Sequence, residues 1–263
     1  DHRAVKNMKR YFHLAGLVLC AVALTSCDKN AVQDISGTLP ASRIKFFNFG
    51  VNAPSVNFYA NDTKMTAITS ATGAEATTGV AYGGVGSGGF YGGIAPGQYT
   101  FTGKISATVD KDLVISSVAA PIADGKDYSY YISGFYNTTS KTADAFIVED
   151  DIPAVDYTVA YVRFVNGISN SSPMVLNAKS TVTGTTTPIG TAVAYKSGGA
   201  FTALPGAVYD LSTRVTGAST DAFARTGVSF VAGHVYTIAS RGDITVVSTT
   251  ATNRPFLDNT ANY

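Results

Sequence analysis

An internal repeat constrains the fold of this chain more than any other feature. Short stretches rich in Val, Ile, Thr, Tyr and Phe alternate with Gly, Ser, Asn and Pro clusters, a pattern typical of strands and turns. No convincing helical period is present. The same signals occur twice in the same order: residues 44–48 with 162–166, Pro54 with Pro173, Pro96-Gly97 with Pro205-Gly206, Gly125 with Gly233, Tyr128 with Tyr236, and Gly134 with Gly242. The repeat predicts an all-β chain of two tandem antiparallel β-sandwich domains, Ig-like or transthyretin-like.

The acidic segment between the repeats predicts the domain boundary. Glu149, Asp150 and Asp151 precede Pro153, and a proline beside clustered charge suits a linker better than a strand. We therefore expect the first repeat over residues 42–150 and the second over 158–263. We expect these carboxylates to be solvated linker charge, although acid-base chemistry or a calcium site would use the same groups.

Three short stretches alternate apolar and polar residues. They are residues 44–46, 128–130 and 162–164. In a strand, alternate side chains point to opposite faces, so we expect each stretch to turn one face to a core and the other to solvent. We also expect Tyr128 and Tyr236 to bury their rings while their hydroxyls bond to backbone, as in tyrosine corners.

The repeated order carries a family resemblance. An aliphatic-basic-aromatic-x-Asn stretch, a Pro-Gly turn before a strand, and a Gly-x-x-Tyr strand start resemble the family named Domain of unknown function 4397, which occurs in tandem in bacterial envelope lipoproteins. The resemblance covers about residues 41–262. This sequence departs from the family's usual pattern at residues 48–50 and 166–168, where small polar residues are commoner in the family. It implies small β-sandwiches and no established activity, so it supplies no catalytic residues.

The first 26 residues predict a lipoprotein signal peptide that starts at Met8. A basic start at 8–10 precedes an apolar run of roughly ten residues, which is too short to span a bilayer. Residues 24–27 (LTSC) resemble a bacterial lipobox. The resemblance implies cleavage between Ser26 and Cys27 and acylation of Cys27, for example with palmitate. An ordinary signal peptide or a short membrane helix is the alternative.

The predicted mature chain begins with a tether and has little net charge. Residues 27–41 are expected to be the lipidated cysteine and a polar tether. Removing residues 1–26 takes away four of the 19 basic residues and one of the 18 acidic ones, which leaves a net charge of −2. That charge disfavours nucleic-acid binding. Because Cys20 and Cys27 are the only cysteines, the mature protein has no disulfide.

No motif assembles a catalytic, cofactor or metal site. Residues 84–89 match G-x-G-x-x-G, but the Gly-rich stretch that follows cannot begin the helix that a dinucleotide site requires. His234 is the only histidine after the predicted cleavage point. A catalytic triad or zinc site needs further partners, so we expect His234 to be a surface residue.

Aromatic side chains in two segments are the candidate ligand contacts. Tyr82, Phe90 and Tyr91 lie among glycines, and Tyr136 ends a tyrosine-rich segment. Such rings can stack on sugars, whereas the alternative is that they pack on the sandwich. The corresponding stretch of the second repeat, 195–201, is shorter and less aromatic.

These observations predict a lipid-anchored protein of the bacterial cell envelope, at the outer membrane. We expect a non-enzymatic binding, adhesive or scaffolding module. The alternative is a glycan-binding accessory lipoprotein, and a hydrolase ranks third. The expected partners are the membrane, through the lipid, and a glycan or envelope protein.

Overall fold

The computed structural model describes residues 41–66 and 78–262. The predicted signal peptide, the Ser26–Cys27 cleavage site and all but the last residue of the tether lie outside the described residues. Within the described ranges, no helix is long and apolar enough to cross a membrane.

The described residues of each repeat form nine strands. Those of the first repeat are β1 (Ser42–Asn48), β2 (Val56–Ala60), β3 (Thr63–Lys64), β4 (Gly84–Val85), β5 (Gly92–Ile94), β6 (Gly97–Ile105), β7 (Val114–Ile122), β8 (Asp127–Asn137) and β9 (Thr142–Glu149). Those of the second are β10 (Val159–Asn166), β11 (Met174–Ser180), β12 (Thr186–Val193), β13 (Ser197–Gly198), β14 (Thr202–Pro205), β15 (Ala207–Val215), β16 (Phe223–Phe230), β17 (Val235–Arg241) and β18 (Phe256–Ala261).

Each repeat is a β-sandwich, and the two share one topology. In the first, one sheet has the order β4-β1-β8-β9, and β5 also pairs with β1. This sheet faces a second sheet of order β3-β2-β6-β7. The second sandwich has the same strand order, with β10 to β18 in the places of β1 to β9. The register repeats too, because Ile44 lies opposite Tyr128 and Val162 lies opposite Tyr236. The predicted all-β fold of two tandem sandwiches is therefore confirmed.

One strand pair in each sandwich departs from the predicted antiparallel arrangement. The pairs β1–β8 and β10–β17 are parallel, whereas the other pairs of the named strands are antiparallel. A parallel pair requires a long crossover, and strands β2 to β7 supply it on the way to β8. The central strands of one sheet are thus far apart in sequence, and short-range hairpin signals do not reveal that they pair.

Each sandwich encloses its own aromatic and aliphatic core. In the first, Phe46, Phe58, Phe101 and Tyr130 pack with ring centroids 5.1–6.2 Å apart. The second core contains Phe164, Leu176, Leu211, Phe230 and Ile238. Full burial of one such side chain contributes roughly 1.5–3 kcal/mol, so both sandwiches are held by packing.

Paired tyrosines secure the same turns in both sandwiches. Tyr128 Oη accepts a hydrogen bond from the backbone N of Ala123, and Tyr236 Oη accepts one from Val231, each at 3.1 Å. The predicted tyrosine corners are therefore confirmed.

The two Pro-Gly turns are confirmed as strand connections, but they are shifted by one residue between repeats. Tyr99 Oη donates to the carbonyl of Ala95, and Tyr209 Oη donates to that of Pro205. The structure therefore aligns Pro205 with Ala95 rather than with Pro96. The turn keeps its place in the fold while its proline moves.

Candidate functional site between the sandwiches and on the second sandwich

The two sandwiches contact each other through the sheets that contain β1 and β10. Phe47, Tyr131 and Phe146 of the first pack with Val165 and Ala239 of the second. The ring of Tyr131 is stacked on Phe47 and Phe146, with centroid distances of 4.5 and 5.1 Å. Strands β1, β8 and β10 are therefore buried on both faces. The expectation that their outer faces meet solvent is wrong, because the other repeat covers them.

A buried ion pair crosses this contact. The side chains of Asp150 and Arg163 are 0% and 3% exposed, and Arg163 Nη2 donates to Asp150 Oδ1. Asp150 Oδ2 also accepts hydrogen bonds from Ser129 Oγ at 2.7 Å and Tyr91 Oη at 2.6 Å. The expectation of solvated linker charge is wrong for Asp150, since a guanidinium and two hydroxyls replace its water.

A lysine of the first repeat makes the matching contact in the opposite direction. Lys45 Nζ donates to the carbonyl of Ala261 at 2.6 Å, and Arg163 Nη1 donates to the carbonyl of Glu149 at 3.0 Å. Lys45 and Arg163 occupy equivalent positions in β1 and β10. Each therefore reaches the end of the other repeat's edge strand, and the contact has approximate two-fold symmetry.

The residues around the two basic groups follow the same symmetry. Lys45 Nζ lies 4.2 Å from the ring centroid of Tyr91, and the Arg163 guanidinium lies 5.0 Å from that of Phe201. Thr237 Oγ1 donates to Asn262 Oδ1 at 2.7 Å, as Ser129 does to Asp150. Cation–π contacts of this kind contribute more when they are desolvated. The contact is therefore built twice from one design.

A tyrosine before β4 or β13 completes each half of the contact. Tyr195 Oη lies 2.9 Å from Ser133 Oγ and donates to Asp144 Oδ2 at 3.0 Å, both in the first repeat. Its counterpart Tyr82 lies against the second repeat, where the Arg241 guanidinium is 4.9 Å from its ring centroid. Both tyrosines thus bind the other sandwich.

A model of the family described as Domain of unknown function (DUF4397) matches residues 42–177. The chain belongs to the DUF4397 family. The matched region starts at β1 and ends within β11. No curated protein matches the chain. The family description names no activity, so the residues of this DUF4397 protein are what indicate its function.

The four predicted ligand-contact residues of the DUF4397 chain lie in different settings. Tyr91 is held between the sandwiches, where its hydroxyl also accepts a hydrogen bond from Asn262 Nδ2 at 2.7 Å. Tyr82 lies beside Arg241. Tyr136 is half-buried against the first core. Phe90 is 77% exposed, so its ring is the one most open to a ligand.

The glycine-rich motif does not lead into a helix. Residues 84–89 form β4 and a short 3-10 turn at Gly86–Gly89. A dinucleotide site places the pyrophosphate at the N-terminus of a following helix, which this segment lacks. His234 is exposed, as expected. Among residues 41–66 and 78–262, no three His, Cys, Asp or Glu side chains gather to hold a metal ion.

Burial changes the acid-base behaviour of Lys45. The residue is 2% exposed, and loss of water lowers its pKa from 10.5 to about 8. The negative charges of Asp150 and Asp127 oppose this shift, while Arg43 and Arg163 add to it. Lys45 therefore binds its proton less strongly in the folded state than in the unfolded state, and protonating it costs stability.

The pH dependence of stability has a definite sign. Because the folded pKa lies below the unfolded one, the penalty from Lys45 is complete below about pH 8 and is relieved as the pH rises toward 10.5. Between pH 7 and pH 10, we expect the wild-type free energy of unfolding to gain about 2 kcal/mol relative to Lys45→Met. Urea titrations at both values measure this difference. Lys179→Met, at an exposed lysine, is the control, and the wild type should show no such gain relative to it. An equal wild-type gain relative to both variants would refute the assignment to Lys45.

Two of the cavities on the described surface are candidate ligand sites. One of about 640 Å³ lies at the domain boundary, lined by Glu149, Asp151 and Phe201 among others. The buried charged side chain in its lining, Arg163, is already paired with Asp150. The other, of about 580 Å³, lies on the second sandwich beside Arg225, Arg254 and Phe256. Of these two, only the second combines a ring with guanidinium groups that form no salt bridge among the described residues.

Proposed function

We propose that the chain is a non-enzymatic binding, adhesive or scaffolding module of the bacterial cell envelope, attached to a membrane by a lipid on Cys27. One observation carries this proposal. The buried charges between the sandwiches satisfy one another and the polar groups beside them, as Asp150 does with Arg163, Ser129 and Tyr91. Groups used in this way hold the two sandwiches together, and the exposed surface remains for partners.

The shared contact also suits a module that presents its surfaces at fixed positions. Stacked rings and a buried ion pair oppose sliding or rotation of one sandwich against the other. Preorganised surfaces lose less entropy on binding than surfaces carried on mobile domains. A tether after Cys27 would hold such a body away from the lipid, at the outer membrane.

Glycan binding is the second candidate function. The exposed ring of Phe90 and the groove beside Phe256 favour it, since sugar rings pack on aromatic faces and charged or hydroxyl groups orient them. Under this hypothesis the chain is an accessory lipoprotein that holds an envelope or extracellular polysaccharide.

Metabolic labelling tests the anchor. We expect full-length chain expressed in a bacterium to incorporate labelled palmitate and to sediment with membranes, because two or more acyl chains give stable attachment. Cys27→Ala should lose all label and become soluble. Cys20→Ala, which removes the other cysteine, is the matched control and should keep both properties. Label retained in Cys27→Ala, or lost in Cys20→Ala alone, would contradict the proposed anchor.

A further inference from the structure

Three arginines of the second sandwich converge on one aromatic ring. Arg225 belongs to β16, Arg241 ends β17, and Arg254 lies in the loop before β18. Their guanidinium carbons lie 5.4, 4.9 and 5.4 Å from the ring centroid of Phe256. Three positive charges around one ring would together attract an anion.

The positive charge of this cluster is incompletely neutralised. Arg241 Nε donates to Asp258 Oδ2 at 2.6 Å. Arg225 and Arg254 instead donate to the backbone carbonyls of Leu257 and Ala251. Neither of these two forms a salt bridge with a carboxylate among the described residues. Three guanidinium groups therefore stand against the single carboxylate of Asp258.

A groove gives a ligand access to the cluster. The cavity of about 580 Å³ adjoins a second of about 280 Å³, and both are lined by Arg254 and Phe256. Pro255 and Ile244 add apolar surface, and the hydroxyl-bearing residues Ser248 and Thr249 line the same cavity. We name this surface, lined by Arg225, Arg241, Arg254 and Phe256, the arginine groove. It offers an apolar face, hydroxyl groups and charge together.

The loop that carries Arg254 is held in place before any ligand binds. Asp243 N donates to the carbonyl of Asn253 at 2.9 Å, and Asn170 Nδ2 donates to Asp243 Oδ1 at 2.8 Å. Gly242 has φ +108°, and a Cβ there would lie 2.2 Å from the carbonyl oxygen of Arg254. Glycine is therefore required for this close approach, which fixes the backbone of Arg254.

The fold itself does not require these arginines. In the first repeat, the strand registers place Val118, Ser133 and Asp144 at the positions of Arg225, Arg241 and Phe256. The first repeat connects β8 to β9 through residues 138–141, whereas 242–255 connect β17 to β18. The charge cluster and its longer loop are thus additions to the second copy.

We propose that the arginine groove binds a carboxylate-bearing glycan, and this inference rests on the proposed binding function. The planar guanidinium forks of Arg225 and Arg254 match a carboxylate in bidentate geometry. The apolar face of a sugar ring would pack on Phe256 and Pro255, and Ser248 and Thr249 line the same groove. The ligand class is an acidic polysaccharide rather than a neutral one.

Binding measurements with defined polymers test this site. Full-length Cys27→Ala chain, which removes the lipid, is titrated with polygalacturonate, with neutral dextran, and with phosphatidylglycerol vesicles. Of these three, we expect only polygalacturonate to bind. Its affinity should fall as the salt concentration rises, because salt screens the charges. Arg225→Gln and Arg254→Gln should each weaken binding on the order of tenfold, the usual effect of losing a charge-assisted hydrogen bond. Equal melting temperatures show that the variants remain folded.

A charge-matched variant separates local from general electrostatics. Arg214→Gln removes an arginine of the same sandwich that is paired with Asp221 outside the groove, and its affinity should stay at the wild-type value. Equal loss in this variant, binding of dextran, or vesicle binding without polygalacturonate binding would overturn the inference. Unchanged affinity of both groove variants for polygalacturonate would show that the polymer binds elsewhere. That result would overturn the arginine groove as the site but would still support the proposed binding function.

Discussion

Replacing Asp150 with alanine is expected to lower the free energy of unfolding by about 3–5 kcal/mol. The substitution leaves the Arg163 guanidinium, which is 3% exposed, without its carboxylate. It also removes the acceptor of the Ser129 and Tyr91 hydroxyls. A buried charge without a partner is far more costly than the loss of a surface ion pair. Urea titration of the Cys27→Ala chain at neutral pH measures the change.

The neighbouring carboxylate supplies the control for Asp150. Asp151 is exposed, so Asp151→Ala should change stability by about 0.5 kcal/mol or less. Both variants remove one negative charge from the same segment. A similar small change in the two variants would mean that Asp150 is solvated and that the Asp150–Arg163 pair does not hold the interface.

Replacing Tyr131 with alanine is the second variant with a large expected effect. The ring is fully buried between Phe47 and Phe146, at the contact with Val165 and Ala239. Truncating a large buried aromatic side chain typically costs about 3–5 kcal/mol, because both transfer energy and packing are lost. Chemical denaturation of Tyr131→Ala beside the parent chain measures this loss.

The position of Tyr131 separates the interface from an ordinary solvated sheet face. If the outer face of β8 met water, removing the ring would cost little. Tyr157→Ala is the control, since Tyr157 is 84% exposed, and a change within about 0.5 kcal/mol is expected. Equal effects of the two truncations would show that the sandwiches do not pack through β8.

Local sequence patterns predicted the strands and the duplication but not the contact between copies. Residues 44–46 alternate as a half-exposed strand would, with Lys45 on the outward face. That face is instead covered by the other repeat, and the lysine reaches Ala261 across it. One signal was available: a basic residue recurs at equivalent positions, Lys45 and Arg163, inside otherwise apolar strands. Recurrence at such a position indicates a shared packing role.

Sequence patterns do not predict the arginine groove, and the reason is different. Arg225, Arg241 and Arg254 come from three separate segments, and no spacing rule connects them. The antiparallel pairing of β17 with β18, and the contact between β16 and β18, bring these segments together. Comparison of the repeats offers a partial signal, since the segment after β17 is longer than its counterpart after β8.

The predicted aromatic contacts illustrate how context decides the role of a side chain. Tyr82, Phe90 and Tyr91 are close in sequence and share a glycine-rich setting. The structure uses Tyr91 as a hydrogen-bond donor to Asp150 and places Tyr82 beside Arg241, while Phe90 remains exposed. Composition identified the segment, but the neighbouring sandwich determines what each ring does.

The two sandwiches form one body through a buried, symmetric contact. Differential scanning calorimetry of the Cys27→Ala chain tests it most directly. We expect a single transition whose calorimetric and van't Hoff enthalpies agree, because neither sandwich can unfold without exposing the Asp150–Arg163 pair and the rings around Tyr131. Two separate transitions, each with the enthalpy of one sandwich and both unchanged by Asp150→Ala, would contradict it.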